Sequence, residues 1–163
     1  MQGEIVVKQG FSVIGFAKNG SHQHPQDKGV ISSLWKQVEQ RKQEIQNTMD
    51  EHTITGICLP PGSAHYFYIA GVEVQSGQHI PNGMSVHTFP TYTYIRYRHK
   101  GPVSRLFDTY GKIWGEWLPA SGFSLIKEGP ELEIVNVKQC ADPNAEEYEM
   151  DIYIPIKLGA LND

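Results

Sequence analysis

The segment GPELEIV, residues 129 to 135, sets one carboxylate, Glu133, among apolar neighbours. Period-two alternation puts Val135 and Val137 on its side of a strand and Leu132 and Ile134 on the other. An ionised Glu in apolar surroundings either takes up a proton or meets a cation. A strand Glu that faces water is common in antiparallel sheets, and from the pattern alone that is the simpler reading. Glu131 shares the strand face and reads as a surface acid.

Other residue types that could carry chemistry are sparse. His22-Gln23-His24 is the one close pair among seven histidines, and a metal would need a third ligand that the neighbourhood lacks, so neither a metal site nor a cofactor is expected. No GxSxG elbow and no glycine-rich phosphate loop occurs. Cys58 and Cys140 lie outside CxxC spacing and read as free thiols of a reducing compartment. Tyr110, Trp114 and Trp117 follow one helical stripe. Two Trp in four residues suggest an indole at a pocket edge, where its N–H finds a partner.

These residues need elements to hold them. Val6 to Phe16 reads as a first strand, bent at Gly10 and ending at Asn19-Gly20. Ile31, Leu34, Trp35, Val38, Ile45 and Met49 have helical spacing, which predicts a helix from Lys28 to near Asp50. Strands follow at Thr53 to Leu59 and His65 to Val74, then a turn-rich linker through Gly77 and Gly83. Thr91 to Arg98 is a fourth strand, rich in aromatic and β-branched residues. Val103, Leu106, Phe107, Tyr110, Ile113, Trp114, Trp117 and Leu118 trace a second helix that Pro119 ends. Leu132 to Val137 and Glu149 to Lys157 close the chain as strands.

Both halves therefore read strand, glycine, Trp-bearing amphipathic helix, strand, strand. A duplicated β-α-β-β unit is the best single account, with pseudo-repeats at about residues 1–76 and 88–158 of one domain, 1–163. It predicts an α+β fold in which an antiparallel sheet carries both helices on one face. Laying Phe67-Tyr68-Ile69 against Ile152-Tyr153-Ile154 puts Phe67 and Ile69 under the helices. Tyr66, Tyr68 and Tyr153 then share the second face, flanking a central cleft.

The chain has 163 residues, 39% of them hydrophobic, and a net charge of -4. That balance argues against a phosphate-backbone binder, and Arg96, Arg98 and Lys100 alternate along a strand as a solvated face would. The amino terminus lacks a signal-peptide pattern and no apolar run approaches the ~20 residues of a membrane span. A cytoplasmic protein without membrane or direct nucleic-acid contacts is expected.

HYFYIAGVEV, the PNGM turn, YIRYRHKG, IWGEWLPASGF, GPELEIV and DIYIPIK together resemble the GyrI-like small-molecule (effector) binding domain of AraC-type and MerR-type multidrug regulators. The match covers nearly the whole chain in order and spacing. It implies a duplicated, SHS2-like β-α-β-β fold around an aromatic-lined central cavity with an acid at its floor. Lipophilic, often cationic aromatic compounds bind in such cavities. By its segment the acid is Glu133. The resemblance places Tyr153, Tyr68, Trp117, Trp114 and Tyr110 around it, and Phe16 joins the candidate ligand-binding set. Family members commonly have an aromatic two residues after the Glu; Val135 stands there in this chain.

Three functions follow as expectations. The first is an effector sensor or drug sink for a hydrophobic cation. It acts as a homodimer or through a separate regulatory protein, because no helix-turn-helix precedes the first strand. The second is a GyrI-like hydrolase of electrophilic drug-like compounds, with Glu133 and either Tyr153 or Tyr68 as its working pair. The third is an inhibitor of the gyrase-inhibitor type, docking through the acidic loop Asp142 to Glu149.

Overall fold

The computed structural model describes residues 3–158. Nine antiparallel strands and two helical segments are the elements of an α+β fold. The strands are β1 (Glu4–Lys8), β2 (Phe11–Ser21), β3 (Thr53–Leu59), β4 (His65–Val74), β5 (Ser85–Phe89), β6 (Tyr92–Lys100), β7 (Ser124–Leu125), β8 (Glu131–Asn136) and β9 (Glu149–Lys157). Their order across the sheet is β1-β6-β9-β8-β3-β4-β2-β5, with β7 joined to β9. Position for position, β6, β9 and β8 of one half answer to β2, β4 and β3 of the other. The duplication read from the sequence is thus laid out symmetrically about the β3–β8 pair.

The bend at Gln9-Gly10 has an architectural role. β1 pairs with β6 and β2 with β5, and the register runs through both bends unchanged: Lys8 lies opposite Tyr92, and Phe11 opposite Phe89. β1–β2 and β5–β6 are therefore two long strands forming one continuous ribbon, each crossing from one half's border to the other's. A ribbon that joins opposite ends of the strand order requires the sheet to curl on itself. Inside the curl lies an apolar cluster of Phe11, Val13, Ile57, Ile69, Tyr94 and Leu132. β5 escapes a sequence reading because this border strand alternates between half-buried and exposed residues, a weak hydrophobic signal.

Both helices cover the other face. Helix α1 (Val30–Arg41) buries Leu34 and Val38 against Ile14, Tyr68, Ala70 and Val72. It is shorter than its periodicity predicts: a 3-10 turn at Lys42–Glu44 breaks it, and Met49 is exposed. The second helical segment runs as α2 (Leu106–Lys112), a π-helical turn (Ile113–Trp117) and α3 (Leu118–Ser121). Pro119 therefore does not end it, since a proline within the first turn of α3 lacks only an N–H that needs no partner there. Phe107, expected in the buried stripe, is 86% exposed. The buried side is carried by Leu106, Tyr110, Ile113, Trp114, Trp117 and Leu118.

One expectation about faces is corrected. Tyr66 and Tyr68 point toward α1, whereas Ile69 and Tyr153 pack on the other side of the sheet. The superposition that matched Tyr68 to Tyr153 was off by an odd number of residues, and a one-residue slip in a strand exchanges its faces. The pairing fixes it: Leu132 lies opposite Tyr153, and Glu133 opposite Ile152.

Candidate functional site

Glu133 is buried, 8% exposed, at the centre of the helix-covered face. Three elements bring groups to it. From β4 the Tyr68 hydroxyl donates to Oε1 at 2.5 Å, and from α2 the Tyr110 hydroxyl donates to Oε2 at 2.9 Å. From α1 the indole N–H of Trp35 donates to the Tyr68 oxygen at 2.8 Å. The chain Trp35, Tyr68, Glu133, Tyr110 thus ties both helices to the sheet through one carboxylate.

Gly56 makes the arrangement possible. It lies opposite Glu133 on β3, and a Cβ there would come within 1.9 Å of the Tyr68 hydroxyl and 2.9 Å of the Trp35 ring. Such contacts are not sterically allowed, so a side chain at 56 would expel one partner. Trp114, on the π-helical turn, rests on Gly62. π-turns are often found at functional sites because they re-aim the side chains they carry.

Burial pushes the Glu133 carboxyl up from its ordinary range, and the two tyrosine hydroxyls pull it back. The same burial, with the neighbouring carboxylate, holds Tyr68 and Tyr110 well above ordinary phenols, so both remain donors. Glu133 has two hydroxyl partners and no Lys or Arg partner among the described residues.

Glu131, read as a surface acid, is instead 6% exposed. Burial and then the charge of Glu133 push its carboxyl up to about 8. Across the strand pair lies Cys58, whose thiol is raised by burial and by both acids. The same-face offset from Glu133 was visible in the sequence. Its burial was not, because that depends on what packs over β8 in the folded chain.

The remaining candidates are dispersed. Trp117 stacks near Tyr97, with ring centroids 5.7 Å apart. Phe16 belongs to the α1 cluster and lies under the Arg41 guanidinium at 5.4 Å. Tyr153 is separated from Glu133 by the sheet, packed near Tyr94, so of the two tyrosines considered for a hydrolase pair only Tyr68 reaches the acid. Trp35 was missed as a site residue although its place on the first helical stripe was legible; its partner, Tyr68, had been put on the wrong face.

Tyr68, Tyr110 and Trp35 line the space around Glu133. A surface cleft of about 490 Å³ lies next to it, lined by His22, His24, Asp27, Ile31 and Tyr66 among others. Tyr66 links the two regions, edge-on to Tyr68 at 6.4 Å and against the His22 ring at 4.8 Å. Among the described residues no three His, Cys, Asp or Glu side chains gather as metal ligands would. Nor is any helix there long and apolar enough to cross a membrane. Arg96 and Arg98 are engaged in surface pairs with Glu4 and with Asp151 and Glu149.

A duplicated α+β fold with a buried acid between two aromatic-bearing helices is the architecture of a small-molecule binding domain. Residues 1–157 match the GyrI-like small molecule binding domain, and the chain belongs to that family. It is 32% identical over 158 residues to the transcriptional regulator BrlR of Pseudomonas aeruginosa, covering 96% of this chain and 56% of the regulator. The chain thus spans little more than half the length of that relative. Among solved structures, SAV2435 bound to tetraphenylphosphonium superposes with a TM-score of 0.76 at 17% identity, covering 97% of this chain and 95% of that one. EcmrR in a DNA complex gives a TM-score of 0.71 at 14% identity, covering 96% of this chain and 57% of EcmrR.

Proposed function

We propose that this domain binds lipophilic aromatic cations, with Glu133 as the counter-charge and Tyr68, Tyr110, Trp35 and Trp114 as the surrounding walls. The observation that carries the reading is a buried carboxylate held by two phenol hydroxyls, with no Lys or Arg paired to it among the described residues and His22 and His99 as the cationisable groups that act on it. Out of water, its attraction for a positive charge is screened far less than at the surface. Aromatic faces add cation–π contacts of roughly 0.5 to 2 kcal/mol each and make few directional demands, which favours a broad range of ligands. Tyr110 is half-buried while its hydroxyl reaches the acid, so rotation of that side chain would open a way for a ligand to Glu133. The structural neighbour holding tetraphenylphosphonium, an aromatic cation, supports this ligand class.

The regulators among its relatives support a role in which occupancy is the signal. The domain would sense an effector, or sequester it, and pass its state to a regulatory partner or a second copy of itself, without touching nucleic acid directly.

Titration with tetraphenylphosphonium, followed by tryptophan fluorescence, tests the proposal. Wild-type protein should bind, and Glu133→Gln should weaken binding by about tenfold or more while keeping its melting behaviour. Equal affinity in the two proteins would end the case for Glu133 as the counter-charge.

A further inference from the structure

Glu131 is the polar group of the helix-covered face that the assembly around Glu133 leaves unused. The two acids lie on one side of β8, two residues apart, which sets their Cα atoms roughly 6 to 7 Å apart at the rise of a strand. Oε1 of Glu131 is buried and has no hydrogen-bond partner among the described residues. The titratable groups around it are Glu133 on its own strand, Cys58 on β3 and Tyr110 on α2. None is a cation. The Tyr110 hydroxyl is committed to Glu133, and the Cys58 thiol, a weak donor within reach of the Glu131 carboxyl and of the Pro60 carbonyl 3.9 Å away, leaves Oε1 of Glu131 unpartnered.

The two acids therefore present different needs. Glu133 has a donor on each oxygen and lacks only an opposite charge. Glu131 has a buried oxygen that lacks a donor, which is costly to leave unmade. Two neighbouring carboxyls in apolar surroundings also resist being ionised together, and a single positive charge relieves one of them.

We infer that Glu131 is a second ligand-binding carboxylate, and that the site selects aromatic dications whose second positive group carries an N–H and lies roughly 6 to 7 Å from the first. This rests on the reading of Glu133 as the first counter-charge. An ammonium or amidinium satisfies Glu131 by donating to Oε1. A phosphonium, with nothing to donate, does not.

Calorimetric titration with three compounds separates the two assignments: tetraphenylphosphonium, 1-(aminomethyl)naphthalene and 1,4-bis(aminomethyl)naphthalene. The bis-ammonium compound should bind wild-type protein at least about tenfold more tightly than its mono-ammonium counterpart. Glu131→Gln should bring that ratio to about one and leave tetraphenylphosphonium within about twofold of wild type. If tetraphenylphosphonium binds but the two naphthalenes bind wild type equally, the second carboxylate is refuted while the first stands. A dication preference that survives in Glu131→Gln refutes it as well. If none of the three compounds binds wild type, both assignments fall together. The wild-type comparison needs no variant, so a folding defect in Glu131→Gln would not rescue the idea.

Discussion

The two faces of the curled sheet are both buried, yet they differ in what they bury. One holds Ile57, Ile69 and Leu132 inside the curl, and an acid on that side, Glu73, is half-buried and paired with Lys8. The other holds Glu131, Glu133, Tyr68 and Tyr110 beneath two helices. A fold of this size gains enough from one apolar core to carry polar groups in another, and the polar ones sit where helices, rather than strands, provide the cover. Strands inside the curl are locked by their ladders on both sides. A helix can shift by a side chain's width without breaking a ladder, which is why the proposed ligand site is placed on the helix-covered face.

The largest effect expected is on the curl. Leu132→Ala should lower unfolding free energy by about 2 to 5 kcal/mol in a denaturant titration, through the cavity it leaves, while ligand preference stays unchanged. A comparable change in ligand selectivity would break the division between the faces.

Tyr68→Phe removes one donor from Glu133 and the acceptor of Trp35. A loss of about 1 to 3 kcal/mol is expected, together with altered cation affinity. No change in thermal melting or in affinity would mean that the hydroxyl is idle.

The effect smallest at any one step is a slope with pH. Glu131 binds its proton up to about 8 in the folded protein, against an ordinary value of 4.5. Between those values the native state holds a proton that the unfolded chain has released. Stability from this group is therefore complete below about 4.5 and declines as pH rises toward about 8, by at most about 1.4 kcal/mol per pH unit. Melting temperatures of wild type and Glu131→Gln should converge in slope below that window and differ within it. Parallel curves throughout would place Glu131 in water.

Much of this was legible in the residues. Alternation set Glu133 beside Val135 and Val137, and the repeated strand-helix-strand-strand order fixed both the sheet and the side on which the helices lie. Tyr68 was a candidate for the right ligand and the wrong face, because aligning two strands by likeness ignores the parity that their pairing enforces. Trp35 and Glu131 were hidden for a different reason. Their roles come from a glycine opposite, at Gly56, and from a helix overhead, and neither relation is local in sequence. Phe107 shows the converse: it fits the helical stripe by spacing, yet the helix turns it outward.

The continuous ribbon of β1–β2 and β5–β6 has a mechanical consequence. Each half lends the other its outermost strand, and β3 and β8 seam the halves at the middle. A clamshell movement would have to tear one of these ladders, so the halves cannot gape apart around a guest. Under the proposed function, admission would fall to the helices above the sheet and to the aromatic side chains they carry.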